Sequence, residues 1–534
     1  MLAPNAMFPE ISVCACRGRL SKRPIRWTVA GDEDMRTRMT AGTGNRARKN
    51  NVLFIVIDQL RADAVFGALA EALPTPNLDA FRAGAVSFER HFTVTAPCGP
   101  SRASLLTGQY AMTHRAIRNG APLTPGTGNI ALEARKLGYE PLLFGYTDVQ
   151  PDPTGLHPND PDNRTYESVL PGFREIVEMR LEQGAEWPAY LQAKGYGTFQ
   201  AESPDIWRLY RPEGDVLGGP ALYRAEDSDT AYLTDRTLSA MAVRRSKPWF
   251  AHVTYIRPHP PFVAPAPYHR QVDPAAVPAP IQGVCDHPFV TAWQSERSQF
   301  GMFWGFDGDC ASISEGTAAK VRATYLGLLS EVDHHLGRLM QFLDDTGQTE
   351  NTMVVLCADH GEMLGDHGHW GKDSVFEAAY HVPLMIRMPG GVSGRVTALT
   401  ESVDIAPTIL EWLGGVASAQ MDGRSLMPWL RGEIPEDWRD AVMMEVEFGE
   451  PGQPTRFERA FGLPPEQCRA VILREARWKY VHFAGGVPPM LFDLDSVEGE
   501  RLNRAGDPAC AGELSRLRGR LLDRRLAAAS RPFG

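Results

Sequence analysis

Four short runs along the chain are largely apolar and rich in β-branched or aromatic residues, and each stops abruptly at polar side chains. They are Asn51–Ile57, Pro141–Tyr146, Phe250–Tyr255 and Thr352–Ala358. Runs without alternation fit strands buried on both faces of a parallel sheet. Between them the apolar period lengthens to that of helices. Leu132–Leu137, Thr230–Arg244 and Asp404–Leu413 are short cases. Glu315–Asp344 is a long one, with Val321, Tyr325, Leu328, Leu329, Val332, Leu336, Leu339, Met340 and Leu343 on one face. Its His334-His335 pair is expected on the solvated side. Further strands are expected around Ala85–Phe92 and Pro383–Arg387. Strands alternating with helices predict an α/β fold: a large, mostly parallel central sheet with helices on both faces.

In such a sheet ligands gather at the carboxyl ends of the strands. The four runs end at Asp58-Gln59, Tyr146-Thr147-Asp148, Arg257-Pro258-His259 and Asp359-His360-Gly361-Glu362, so one edge collects the unusual polar groups. From about residue 414 the elements become shorter and mixed, including Trp478–Phe483 and Leu491–Leu494. The division expected is 51–413 as a catalytic domain and 414–534 as a smaller C-terminal subdomain with an antiparallel sheet. Residues 150–230, rich in Pro, Gly, Asp and Trp, are expected to leave the sheet and shape a pocket that sets selectivity. Residues 1–50 have little periodicity and predict a disordered leader, with Met35 or Met39 as alternative starts.

Composition adds exclusions. The 534 residues are 43% hydrophobic and 22% charged, which suits a globular enzyme. A formal charge of -10 offers no basic field for nucleic acid, so an anionic substrate must be drawn in by a metal and a few cations. The first fifty residues hold no apolar stretch long enough for a signal or a membrane span. Cysteines at 14, 16, 98, 285, 310, 357, 468 and 510 show no paired metal spacing and no disulfide framework. A cytoplasmic protein without nucleic-acid or membrane partners is expected.

The stretch Cys98–Gly108, C-G-P-S-R-A-S-L-L-T-G, places a cysteine just before a helix N-terminus, where backbone N–H groups and the helix dipole favour anions. Taken alone, a free cysteine is more often a small core residue. Only three residues separate Cys98 from Arg102, too few for a thiolate phosphatase loop. Asp58, Gln59, Asp359 and His360 suit one divalent cation with the nucleophile as a further ligand, and the imidazole tilts the choice from Ca²⁺ towards Mn²⁺, Fe or Zn²⁺. Arg102 and Lys372 can neutralise charge on a transferring group. His259, set between two prolines, can hand a proton to a leaving group. Asn119 can donate a hydrogen bond to nucleophile or substrate, whereas His114 is read as structural.

The C-x-P-S-R run, Thr75-Pro76-Asn77-Leu78-Asp79 before it, and the closing R-W-K-Y-V-H-F and L-F-D-L segments resemble the sulfatase branch of the alkaline phosphatase superfamily over residues 51–505. Within it the chain looks most like the phosphonate monoester hydrolases, which also act on phosphodiesters. Gln59 stands where ordinary sulfatases carry a second aspartate, His360 where they carry asparagine, and Tyr146 and Asp148 where they place a lysine and a histidine.

The resemblance implies an alkaline-phosphatase-like sandwich. It also implies that Cys98 is oxidised to formylglycine by a formylglycine-generating enzyme, and that Asp58, Gln59, residue 98, Asp359 and His360 hold one divalent metal. Mn is expected first, with Ca, Fe or Zn as alternatives. His259 would assist departure of the alcohol, while Lys372, Arg102, Asn119 and Tyr146 would hold a small anionic ester and the nucleophile. A homotetramer or homodimer is expected. Asp148 departs from the subgroup's threonine, and a carboxylate there must point outward or meet a cationic substrate. Two rival readings stand: an aryl or alkyl sulfatase, and an inactive metal-binding homologue.

Overall fold

The computed structural model describes residues 27–28, 50–150, 153–157, 159–160, 167–180, 184–197, 209–244, 247–283, 285–297 and 301–529. Sixteen strands are described: β1 Trp27–Thr28, β2 Asn51–Ile57, β3 Val86–Phe88, β4 His91–Phe92, β5 Thr95–Ala96, β6 Pro141–Gly145, β7 Arg174–Glu178, β8 Phe250–Tyr255, β9 Thr352–Ala358, β10 Leu384–Arg387, β11 Ser393–Val396, β12 Thr400–Glu401, β13 Ala441–Glu447, β14 Arg469–Glu475, β15 Trp478–Phe483 and β16 Met490–Asp493. Nine of them form the central sheet in the order β1-β11-β3-β10-β9-β2-β8-β6-β7. From β9 to β7 every neighbouring pair is parallel. Only β10 and β1 run antiparallel to their neighbours.

β2 lies near the middle and shows why the sheet needs helices on both faces. Leu53, Ile55 and Ile57 join a core that includes Leu328, Leu329, Val332 and Leu336 of the helix Glu315–Asp345. Val52, Phe54 and Val56 join the opposite core, with Leu105 and Leu106 of the helix Cys98–Thr107 and Ile405, Ile409 and Leu410 of the helix Ile405–Trp412. Alternate side chains of a strand point to opposite faces, so both layers are fixed by this one apolar run. Each such side chain contributes roughly 1.5–3 kcal/mol on burial. Ser314 and Ser228 cap the helices Glu315–Asp345 and Asp229–Ala242 by accepting backbone N–H bonds from Thr317 and Ala231.

Four expectations need correction. Residues 150–230 do not all leave the sheet, because Arg174–Glu178 forms its edge strand β7 beside β6. That strand carries charge on its outer positions, so the apolar-run criterion passes over it. His335 is buried, only 4% exposed, beside the Arg338 guanidinium, and only His334 faces solvent. Trp27–Thr28, inside the expected leader, pairs with β11; the rest of residues 1–49 lies outside the described residues. The antiparallel sheet β16-β15-β14-β13 also takes a strand from the first hundred residues, since β5 runs parallel to β13 at its edge.

Candidate active site

Four adjacent parallel strands, β9-β2-β8-β6, deliver the site from their carboxyl ends. The register sets Ile57 beside Ala358 and beside Tyr255, so Asp58 and Asp359 emerge next to each other. Asp359 Oδ1 accepts the backbone N–H of Gln59 at 3.0 Å and of His360 at 2.8 Å. Asp58 Oδ2 accepts from the Tyr146 hydroxyl and from Arg102 Nη2, the latter at 3.1 Å. The other oxygens, Asp58 Oδ1 and Asp359 Oδ2, are buried and accept no hydrogen bond, although Arg102 Nη2 pairs electrostatically with Asp359 Oδ2 at 2.9 Å.

Cys98 opens its helix rather than preceding it, with Pro97 at the cap. Every residue of Cys98–Thr107 is buried. Ser101 fastens the helix to the sheet, its hydroxyl donating to the Asp359 carbonyl at 2.5 Å. Asn119 Oδ1 accepts the Gly99 N–H at 2.9 Å, so the amide oxygen serves the backbone beside Cys98. A Cβ on Gly99 would lie 2.9 Å from that oxygen and 3.0 Å from the Asp148 carbonyl, which explains glycine at this position. His114 bonds Ser104 Oγ at 2.8 Å and accepts the Ala116 N–H, a structural placement.

His360 Nδ1 lies 3.0 Å from the Gly361 carbonyl, so it carries the proton and the Nε2 lone pair faces inward. Nε2 is 3.2 Å from Cys98 Sγ, 3.8 Å from Asp58 Oδ1 and 3.7 Å from Asp359 Oδ2. Ligand atoms of Asp58, Cys98, Asp359 and His360 all lie within 4.8 Å of one another. Two carboxylate oxygens that accept no hydrogen bond, an inward imidazole lone pair and a sulfur around one ion-sized space fit a divalent cation. Burial pushes the His360 imidazole down to about 4, which keeps it a neutral donor.

Gln59, held in the left-handed region with φ 63°, turns Oε1 to within 3.2 Å of Lys372 Nζ. Lys372 Nζ also lies 2.7 Å from Cys98 Sγ and 3.3 Å from His259 Nε2. Burial works against its charge, but the Cys98, Asp58 and Asp359 side chains hold it above the usual lysine value. Burial raises the Cys98 thiol, with Lys372 pulling the other way. His259 Nδ1 is bonded to the Pro260 carbonyl at 2.6 Å, and burial together with the Lys372 charge lowers its imidazole. Arg102 stacks 4.3 Å from the centre of the Tyr146 ring, and its Nε is 3.6 Å from Asp148 Oδ2. Asp148 also has positive φ, 50°, and its Oδ1 has no hydrogen-bond partner. Burial, opposed by Arg102, pushes it up to about 7.

All the candidate residues therefore converge, although Asn119 and Asp148 approach the cluster from its margin. Three supporting residues had no role assigned from the sequence. Glu362 clasps the Gln59 amide, Ser101 ties the nucleophile helix to Asp359, and Arg257 Nη1 bonds the carbonyls of His259 and Pro261 at 2.8 and 3.0 Å. Their signal was adjacency alone, since each stands within three residues of a named candidate.

Paired carboxylates, an imidazole and a buried candidate nucleophile at the carboxyl edge of a parallel sheet are the groups that suit a hydrolase with a candidate metal site. The chain belongs to the sulfatase family of the alkaline phosphatase superfamily: residues 50–416 match the Sulfatase profile, and residues 365–526 match N-sulphoglucosamine sulphohydrolase, C-terminal. It is similar to the multifunctional alkaline phosphatase superfamily protein PehA of Trinickia caryophylli, 38% identical over 90% of this chain and 96% of the relative. Among solved structures it is similar to the phosphonate monoester hydrolase SpPMH of Silicibacter pomeroyi, with TM-score 0.86 and 48% identity, covering 90% of this chain and 96% of that one. The phosphonate monoester hydrolase of Agrobacterium radiobacter gives TM-score 0.83 and 37% identity with the same coverage.

Proposed function

We propose that the protein hydrolyses phosphonate monoesters and phosphodiesters, using a formylglycine made from Cys98 and one divalent cation, Mn²⁺ before Ca²⁺, Fe or Zn²⁺. The observation that carries this reading is the convergence of Asp58, Asp359, His360 and Cys98 on one ion-sized space, with Lys372 directly beside Cys98 and His259 beside Lys372. The two solved structures named above are phosphonate monoester hydrolases, which favours this chemistry over sulfate ester hydrolysis.

Asp58, Gln59, Asp359, His360 and residue 98 would hold the cation. It would polarise a non-bridging oxygen and favour an ionised nucleophile. The hydrated aldehyde side chain supplies one hydroxyl to attack and a second to release the product. Cys98 Sγ marks where those oxygens would lie, and its 2.7 Å contact with Lys372 is the length of a charge-assisted bond to oxygen. A thiolate nucleophile is disfavoured, because burial holds the thiol neutral.

Lys372 and Arg102 offset charge on the transferring group, while Tyr146 and Arg102 together fix one oxygen of Asp58. His259 Nε2 stands beside Lys372, which itself touches Cys98, and from there it would hand a proton to a leaving alkoxide. Asn119 holds the backbone next to residue 98. Asp148 Oδ2 lies against Arg102 and tempers its charge, which suits a monoanionic diester better than a dianion. Maturation requires a formylglycine-generating enzyme. The reading includes a homo-oligomer, dimer or tetramer, in the cytoplasm, and the six described cysteines are free. No described helix is long and apolar enough to cross a membrane.

The test is peptide mass spectrometry of the Cys98 segment from protein made with a formylglycine-generating system. The expected result is a loss of about 18 Da, together with faster turnover of phosphonate monoester and phosphodiester than of aryl sulfate. An unmodified thiol in active protein, or a preference for the sulfate, would sink the reading.

A further inference from the structure

Glu362 follows the cation-site pair Asp359-His360 and has no exposed surface. Its two oxygens are used differently. Oε1 accepts two backbone N–H groups, from Leu364 at 3.0 Å and from Gly371 at 2.5 Å. Oε2 accepts the side-chain Nε2 of Gln59. The far end of that amide, Oε1, is the atom 3.2 Å from the Lys372 ammonium. A side-chain amide can be turned end for end at little intrinsic cost, so something must choose its orientation.

We propose that Glu362 is a positioning residue that holds the Gln59 amide with its oxygen, not its NH₂, towards Lys372 and the cation site. The inference rests on the reading of Gln59 as a cation ligand. Lys372 can only donate, so it favours the same orientation from the other end. Through the Gly371 N–H, the same carboxylate anchors the backbone immediately before Lys372. One buried carboxylate thus sets both the ligand carried by β2 and the cation carried by the loop after β9.

The two backbone donors make the idea testable. In Glu362→Gln the new amide must keep its oxygen towards Leu364 and Gly371, because both of those groups donate. Its NH₂ then faces Gln59, which must turn its own oxygen away from the cation site and aim NH₂ into it. A carboxylate at position 59 escapes this conflict, since it accepts from the new amide with one oxygen and offers the other to the cation. The readouts are Mn²⁺ bound per chain and the Mn²⁺ dissociation constant measured by calorimetry on the full-length protein, with no activity assay involved.

Glu362→Gln is expected to weaken Mn²⁺ about 10–100-fold, and Gln59→Glu added to it is expected to restore binding to within a few-fold of the parent. Gln59→Leu is the control for the underlying reading. If it leaves Mn²⁺ affinity unchanged, Gln59 is no ligand and the inference falls with that reading. If Gln59→Leu weakens Mn²⁺ but Glu362→Gln does not, only the inference is overturned. Should Glu362→Gln fail to fold, the double variant decides: a folded double variant that binds Mn²⁺ supports the proposal, and one that does not overturns it. Failure of both to fold while Gln59→Leu folds also overturns it, because the carboxylate then serves the fold rather than the amide.

Discussion

Lys372 points its ammonium at the Cys98 sulfur from 2.7 Å, and no other described cation makes a hydrogen bond to that atom. A fixed positive charge at this distance serves the nucleophile and the charge that develops beside it. Lys372→Met is expected to lower kcat for a phosphonate monoester about 10²–10³-fold. Steady-state kinetics on the variant check this, and an unchanged kcat would remove Lys372 from the machinery.

His259 is neutral in the free protein. Burial and the neighbouring Lys372 charge hold its imidazole well below the ordinary histidine value. Nδ1 donates to the Pro260 carbonyl, leaving Nε2 without a proton beside Lys372. An anionic ester offsets the lysine charge and allows Nε2 to carry the proton that a departing alkoxide needs. His259→Ala is expected to slow esters of poor alcohol leaving groups about 10²–10⁴-fold, with a much smaller effect on an activated phenol ester. Equal losses across a leaving-group series would show that His259 does not protonate the leaving group.

Chelation is expected to abolish turnover and to lower the unfolding temperature, both restored by Mn²⁺. A cation held at a hundredfold excess over its dissociation constant stabilises the fold by about 2.7 kcal/mol. Asp359→Asn, which removes a carboxylate whose Oδ1 already serves two backbone N–H groups, should abolish the Mn²⁺-dependent rise in Tm. A scanning calorimetry trace that ignores Mn²⁺ in the parent would overturn the cation site.

Asp148 faces Arg102 at 3.6 Å. Removing its carboxylate in Asp148→Thr frees Arg102 for an anionic substrate, so KM for a phosphodiester is expected to fall, by about tenfold if one favourable contact of 1.4 kcal/mol is gained. Unaltered kinetics on every phosphonate, diester and sulfate tested would make Asp148 irrelevant to the substrate.

The ends of β2, β8 and β9 were legible because a strand buried on both faces has no packing reason to finish in Asp, Gln or His. Their apolar runs match the strands residue for residue. β7 was not, since a half-exposed edge strand carries Arg and Glu and reads like a loop. The side chains of the candidate cation site could be named from motif and strand-end position, and Asp58, Cys98, Asp359 and His360 lie together. Glu362 could not be given its task, because clasping an amide depends on which way a side chain turns, and spacing says nothing about that. His335 shows the reverse error: a histidine pair looks solvated until the helix is placed against its neighbours.

Glu331 gives a prediction remote from the site. Burial, reinforced by Asp229, raises its carboxyl from 4.5 to about 8. Between those values the folded chain keeps the proton while the unfolded chain loses it, so the unfolding free energy falls as pH rises. The stability is fully present below about pH 4.5 and is lost as pH approaches about 8. Glu331→Gln is expected to flatten this slope, narrowing the difference between the Tm at about pH 5 and that at about pH 8. Parallel Tm–pH curves for parent and variant would count against it.

β5, directly before Cys98, finds its partner in β13, from the far part of the sequence. The strand that leads into the Cys98 helix therefore gains its neighbour only once residues 441–447 have been made. In the finished fold Cys98 is 6% exposed. Truncation before β13 would leave that strand without its partner, so the far part of the sequence helps to close the fold around Cys98.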